Sequence, residues 1–149
     1  MIKNYKDTVE KIREIALSHL AVVQFGTGEL SDIDVQTNIN TPVKYPLVFL
    51  IPQTSTLDRN GRMILSFSMI VCDISKDQEG LEINGLNTTL GIGQDIISKF
   101  VLDLGTEIDI ETPITFTPFI ERFNNRLVGW TFDLNLIIQS PFDLCNAAF

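Results

Sequence analysis

The sequence has one histidine, two cysteines and one tryptophan, and only 20% of its residues are charged. Because His19 is the only imidazole, any site that needs two histidines, or a histidine beside paired cysteines, is excluded within one chain. Cys72 and Cys145 lack the spacing of a metal or redox pair, so both are expected to be reduced thiols. These scarcities exclude most zinc sites and any disulfide framework.

Basic residues are also few, with 11 Lys and Arg against 19 Asp and Glu and a formal net charge of −8. Affinity for nucleic acid depends mainly on clustered cations, and no such cluster occurs, so a protein that grips DNA or RNA is not expected. Charged residues also interrupt the first twenty positions. We therefore expect neither a signal peptide nor a membrane span there, and a protein of a soluble compartment without membrane contact.

What the sequence does contain is enough apolar material for one packed domain over residues 1–149. Hydrophobic residues make up 44% of the chain. A chain of this length buries about 68 to 70% of its unfolded surface, so it should fold without a metal or a disulfide.

Two segments have helical periodicity. In the first, apolar residues recur at steps of three and four, with Asn4 as the expected N-cap; the stripe is Tyr5, Val9, Ile12, Ala16 and Leu20. In the second, over residues 84–105, Gly91 and Gly93 are interpreted as points of close packing on a sheet, and Gly105 as a left-handed cap. The expected stripe there is Leu86, Leu90, Gly93, Ile97, Phe100 or Val101, and Leu104.

The remaining segments read as strands. Residues 22–36 fit two short strands or one bulged strand, and LVFLIP at 47–52 fits a buried strand. Asn60-Gly61 predicts a tight turn that makes this strand and residues 62–74 antiparallel neighbours. Residues 62–74 have one apolar face and one mixed face, and the mixed face is expected to need further cover, for instance from another subunit. The last third predicts a long hairpin that turns at Asn124-Asn125, with alternate residues from Val128 to Ile138 on one face.

Together these segments predict an α+β domain, a mainly antiparallel β-sheet with two helices packed on one face. Gly26-Thr27-Gly28 lacks the third glycine of a dinucleotide fingerprint and is interpreted as a turn. No cofactor is expected.

Three groups of residues could in principle support chemistry. Glu29, Asp32 and Asp34 do not follow a calcium-loop pattern, so solvated loop acids are favoured over a metal site. Ser18 and His19 are adjacent on a helix, so their side chains diverge by about 100° and cannot form a nucleophile and base pair; His19 is interpreted as a residue of the helix C-terminus. A metal-dependent nuclease would need a carboxylate pair and a lysine close together, and Asp73 with Lys76 matches that pattern only weakly.

A row of alternating acids offers a non-catalytic role. If residues 107–111 are extended, Glu107, Asp109 and Glu111 share one face. Such a row usually marks a solvated edge. The alternative is a surface that faces DNA sliding past without sticking.

The run PFIERFNNRLVGWTFDLNLIIQSPFDLC, with YPLVFLIP, LSFSMIVCDI and LNTTLGIGQDIISKF, resembles the tail-completion proteins of tailed bacteriophages, also called tail terminators or neck proteins. The resemblance follows element order over nearly the whole chain and carries no catalytic residues. It implies a tail-terminator-like subunit of a homo-oligomeric ring at the head-to-tail junction, with portal or connector and tail proteins as partners. Double-stranded DNA would only pass through the lumen, and the protein would belong to the virion, assembled in the bacterial host cytoplasm. Whether six or twelve copies form the ring is left open.

Two segments are expected to make contacts in such an assembly. One is the hairpin tip at Leu57, Asp58, Arg59, Asn60 and Gly61, within a connection of about ten residues that is longer than hairpins usually need. The other is the apolar C-terminal tail with Phe142, Leu144 and Phe149, which would pack on an adjacent subunit or on the first helix.

Two other classes of function remain open at this point. One is a soluble module that binds a small molecule or a peptide. The other is a metal-dependent hydrolase or nuclease that uses Asp32, Asp34 or Asp73.

Overall fold

The computed structural model describes residues 4–29, 44–74, 81–105, 107–122 and 127–139. Within these ranges the chain forms two helices and seven strands. The helices are α1 (Tyr5–Ser18) and α2 (Leu81–Leu104). The strands are β1 (Gln24–Thr27), β2 (Leu47–Pro52), β3 (Thr56–Leu57), β4 (Arg62–Ile74), β5 (Ile108–Ile110), β6 (Phe116–Arg122) and β7 (Leu127–Gln139).

The described strands form one sheet centred on the long antiparallel pair β4 and β7. β2 lies beside β4 and β1 lies beside β2, while β5 and β6 pair with successive parts of the outer edge of β7. Only β1 and β2 are parallel among these pairs. Both helices contribute to one apolar cluster with alternate residues of β2, β4 and β7. The predicted α+β class, a mainly antiparallel sheet with helices on one face, is therefore confirmed.

Helix α1 begins where the sequence predicts. The side-chain oxygen of Asn4 accepts a hydrogen bond of 2.9 Å from the backbone N–H of Asp7, which caps the first turn. The predicted apolar stripe is wrong at its end, because the helix ends at Ser18 and Leu20 is fully exposed. Tyr5 is also half exposed. The residues that α1 buries are Thr8, Ile12, Ile15 and Ala16.

Helix α2 begins three residues earlier than predicted and buries a slightly rotated stripe. Leu90 and Ile97 are only partly buried, and Val101 is exposed. The residues that face the core are Thr89, Ile92, Ile96, Phe100 and Leu104.

The glycines of α2 differ from one another. Close packing is confirmed at Gly93, where an added Cβ would lie 3.2 Å from Phe116 and 3.3 Å from Phe132. At Gly91 the interpretation is wrong, since no atom lies within 4 Å of such a Cβ. Gly105 is not the predicted left-handed cap: its φ is not positive, and its N–H bonds to the carbonyl of Val101 at 2.9 Å.

The predicted buried strand at 47–52 and its antiparallel pairing with β4 are confirmed. Gly61 has a φ of 78°, as the predicted tight turn requires. The connection between the two strands is more ordered than predicted, because Thr56 and Leu57 form β3 and pair with the beginning of β4. Its tip is thus the end of a second, short hairpin.

The C-terminal hairpin is confirmed by the antiparallel pairing of β6 and β7, although the turn at Asn124-Asn125 lies outside the described residues. Phe132, Leu134 and Leu136 face the helix-side core as predicted, and Asp133 is exposed on the other face. Of the predicted strands at 22–36, β1 is described, and the part from Leu30 onward lies outside the described residues.

Among the described residues, no helix packs on the opposite face of the sheet, which is called the helix-free face. This face carries its own apolar cluster. Leu47, Phe49, Ile70, Cys72 and Leu127 are almost completely buried there. These residues are buried within one chain, so the further cover that this part of the mixed face was expected to need is present without another subunit.

Candidate interaction surface

The predicted hairpin tip is internally well bonded, with Leu57, Arg59 and Asn60 exposed, Asp58 partly buried and Gly61 buried. The Asp58 carboxylate accepts hydrogen bonds from the N–H of Asn60 at 2.8 Å, from the N–H of Arg62 at 2.9 Å and from Arg62 Nε at 2.7 Å. The hydrogen bond from the Arg62 side chain, helped by the backbone bonds, lowers the pKa of Asp58 below its ordinary value. Leu57 is 55% exposed, and Arg59 is exposed beside it. The tip is therefore a defined projection that offers an apolar and a basic side chain.

The predicted row of acids lies at the edge where β5 pairs with β7. Glu107, Asp109 and Glu111 are all exposed, and the intervening Ile108 is buried, so the alternation is present. Only part of the row is strand, since Glu107 lies in a turn. The N–H of Glu107 donates a hydrogen bond to the carbonyl of Leu104.

Asp133 adds to this acidic edge, and no local sequence pattern connects it with the row. Its strand β7 passes beside β5, and Asp133 and Glu111 line the same cleft of about 240 Å³. Asn135 lies in that cleft too, with its side-chain oxygen accepting a hydrogen bond of 2.7 Å from Ser66 Oγ. The helix-free face thus carries carboxylates from two strands at this edge.

Several predicted residues cannot be placed. Asp32, Asp34, Phe142, Leu144 and Phe149 lie outside the described residues. Asp73 is described, at the end of β4, where its carboxylate accepts a hydrogen bond of 2.8 Å from the N–H of Ile74. Among the described residues, no three or more His, Cys, Asp and Glu side chains are grouped to hold a metal ion.

His19 has both ring nitrogens engaged. It caps the C-terminus of α1, as predicted. Its Nε2 lies 2.9 Å from Asp95 Oδ2 on α2, and its Nδ1 accepts a hydrogen bond of 3.0 Å from the N–H of Ala21. Since Nδ1 accepts, the ring proton is on Nε2 and is donated to Asp95. No lone pair of the ring is left to act as a general base in this arrangement.

The turn that His19 organises carries Leu20. Three hydrogen bonds fix it, from His19 N–H to the Ala16 carbonyl, from Ala21 N–H to the His19 ring and from Val22 N–H to the His19 carbonyl. Leu20 nevertheless projects entirely into solvent. Beside it lies an open groove of about 430 Å³, lined by the end of α1 and by Asp95, Ile96 and Lys99 of α2.

A second groove of about 480 Å³ lies on the other side of α2, against the segment that joins β5 and β6. Ile97, Ile114 and Phe116 form its apolar floor, and all three are partly buried against the core. Gln94 and Ser98 lie at its rim. Grooves therefore flank the same two turns of α2.

Cys72 is a free thiol within the buried cluster of the helix-free face. Burial, with a smaller contribution from the charge of Asp73, raises the pKa of Cys72 to about 12. The thiolate is the nucleophilic form, so this side chain is expected to be unreactive in the folded protein.

Comparison with protein-family models gives no match for this chain, and comparison with curated protein sequences gives none either. Neither of the described helices is long and apolar enough to cross a membrane.

The residues that sequence reasoning missed are Leu20 and Asp95. Leu20 continues the spacing of Ala16, so periodicity alone extends α1 through it. Asp95 is 76 positions from His19, and only the packing of α1 against α2 brings the two side chains together.

Proposed function

We propose that this protein is the structural subunit of a homo-oligomeric ring at the head-to-tail junction of a tailed bacteriophage, a neck or tail-terminator protein. Support comes from the architecture that the sequence resemblance implies, a sheet backed by two helices.

The observation that carries the proposal is the full exposure of Leu20 on a hydrogen-bonded turn. A monomer that leaves a large apolar side chain in solvent loses the free energy of burying it, about 1.5 to 3 kcal/mol for a leucine. Here three hydrogen bonds fix the turn that presents it. A pre-organised apolar residue is the form that binding hot spots take, because little conformational freedom is lost on association.

Other exposed features fit contacts between copies or with the adjoining ring. The hairpin tip offers Leu57 and Arg59 on a bonded turn. We assign it to a contact with a neighbouring subunit or with the portal, connector or tail protein next to the ring.

The acidic edge fits the lumen of such a ring. Asp109, Glu111 and Asp133 lie on or beside β5 and β7 and are exposed. Carboxylates repel phosphates, so double-stranded DNA could pass without being held. In this role the protein belongs to the virion.

An assembly experiment with matched variants tests the proposal. Leu20→Asp and Ile83→Asp each place one carboxylate on an exposed apolar position, since Ile83 is 70% exposed on the first turn of α2. Negative-stain electron microscopy and sedimentation velocity should show closed rings for the wild type and for Ile83→Asp, and subunits for Leu20→Asp. Wild-type protein that stays monomeric at high concentration, with or without portal or tail partners, would contradict the proposal.

A small-molecule-binding module is the second candidate, because the groove beside Leu20 has a volume within the range of ligand pockets, about 300 to 1,000 Å³. Under this alternative the protein would be a monomer or dimer, and a fragment screen by thermal shift would give hits that Lys99→Ala or Ile96→Ala removes.

A further inference from the structure

We infer that His19 is a pH-sensitive joint between α1 and β1: its neutral ring holds the turn that carries Leu20, and its protonation releases that turn. The inference does not depend on the ring proposal. It follows from the two hydrogen bonds of one imidazole and from the chemistry of its two nitrogens.

The neutral ring is matched to its surroundings in one tautomer. Ala21 N–H approaches Nδ1 at 3.0 Å and requires a lone pair there. The Asp95 carboxylate approaches Nε2 at 2.9 Å and requires a proton there. Neutral imidazole has one acceptor and one donor, so a single tautomer satisfies both neighbours.

Protonation removes this match at one nitrogen only. The imidazolium carries N–H on both nitrogens and has no acceptor, so Nδ1 then presents a donor to the donor of Ala21. Rotation of the ring cannot restore the bond, because no ring position of an imidazolium accepts. At Nε2, by contrast, the bond to Asp95 becomes an ion pair. Protonation of the ring therefore breaks the hydrogen bond with Ala21 in the turn and keeps the contact with Asp95 on α2.

The charged groups around the ring are few in the described residues that line the groove. On α2 they are Asp95 and Lys99, and Lys99 forms an ion pair of 3.3 Å with Asp103. From α1 the groove is lined by Ile15 and the neutral Ser18. The His19 side chain is only 20% exposed, whereas that of Asp95 is 68% exposed. Asp95 is therefore the charge that faces the ring directly, and it remains in place for both protonation states.

The consequence lies in the turn. Without the Ala21 bond, His19–Val22 keeps only the bonds that close the end of α1 and join Val22 N–H to the His19 carbonyl. Leu20 lies between His19 and Ala21 and loses its fixed direction. Because only the neutral ring accepts at Nδ1, the presentation of Leu20 depends on whether His19 carries the second proton.

Hydrogen exchange read by mass spectrometry tests the joint, with His19→Asn as the matched variant. An asparagine side chain can accept the backbone N–H two residues further on, and it does not titrate between pH 8 and 5. Comparing the two proteins at each pH removes the intrinsic pH dependence of exchange. For the peptide that contains Ala21, the wild type should match His19→Asn at pH 8 and exchange about tenfold faster or more than it at pH 5.

A second variant separates the turn from the link to α2. Asp95→Asn leaves Nδ1 free to accept, so its Ala21 peptide should still lose protection at low pH. Equal exchange of wild type and His19→Asn at pH 5 would overturn the inference. Loss of protection in His19→Asn at low pH, as large as in the wild type, would also overturn it by locating the change in another group.

Discussion

His19 Nε2 lies 2.9 Å from Asp95 Oδ2, and this contact ties the last residue of the α1 cap to the middle of α2. The same ring also accepts the N–H of Ala21. We expect His19→Ala to lower the free energy of unfolding by about 0.5 to 1.5 kcal/mol for each bond lost, and Asp95→Ala to cost only one such bond. Urea unfolding at pH 8 measures both values.

The double variant supplies the control for this pair. If the two side chains interact, the combined loss is smaller than the sum of the single losses, because removing either partner already breaks the bond between them. Additive losses would mean that the contact contributes nothing to stability.

The two glycines within α2 give a matched pair of substitutions. Gly91→Ala should stabilise the protein by about 0.5 to 1 kcal/mol, since an added Cβ meets open space and alanine is the better helix former. Gly93→Ala gives the same gain in helix propensity, but its added Cβ lies against the rings of Phe116 and Phe132. Crowding in a packed core costs about 1 to 3 kcal/mol, so thermal unfolding should rank Gly93→Ala below Gly91→Ala. The reverse order would contradict the packing of α2 on β6 and β7.

Cys72 should be unreactive in the folded protein. A dithionitrobenzoate reagent at pH 8, applied to a Cys145→Ser variant so that one thiol remains, should give no absorbance change until denaturant is added. The reason is burial, which also raises the pKa of this thiol to about 12. Rapid labelling under native conditions would show that the cluster on the helix-free face is open.

The hairpin tip should loosen in acid. The pKa of Asp58 is lowered in the folded state, so its hydrogen bonds contribute fully above the ordinary pKa of an aspartate and are lost as the pH falls through the lowered value. The amide resonances of Asn60 and Arg62 should therefore titrate below the ordinary range. Asp58→Asn should abolish that titration, and an unchanged titration in the variant would assign it to a different carboxylate.

The position of the tip can be tested by deletion. Replacing Leu57–Gly61 with a shorter turn should leave β2, β4 and β7 intact, because β3 pairs only with the beginning of β4. Ring formation, or binding to the portal or tail partner, should weaken. If circular dichroism and both kinds of assembly are unchanged, the tip is only a surface turn.

Local patterns predicted much of the fold. Alternation predicted the core face of β7, because the side-chain period of a strand is fixed at two. The turn signal at Asn60-Gly61 predicted the pairing of 47–52 with 62–74. The helix stripes were predicted less well, since a shift of one position rotates the buried face by about 100°. That shift separates the expected Ile97 from the buried Ile96.

The candidate surface could be predicted only in part. The exposed hairpin tip and acidic row follow from turn chemistry and alternation within short segments. The exposure of Leu20 depends on the end of α1 at Ser18, and the His19 ring that follows this end contacts Asp95 from a distant segment. Burial of Ile70 and Cys72 likewise depends on residues from other strands, such as Phe49 and Leu127, so a mixed face in the sequence did not mean an uncovered face.

Whether copies of this chain close into a ring can be measured by native mass spectrometry of the wild-type protein. We expect one dominant closed species whose mass is a fixed multiple of 16.7 kDa, with six or twelve copies, unchanged as the protein is diluted over a tenfold range. A spectrum that shows only the monomer at every concentration, alone and with portal or tail partner present, would contradict it.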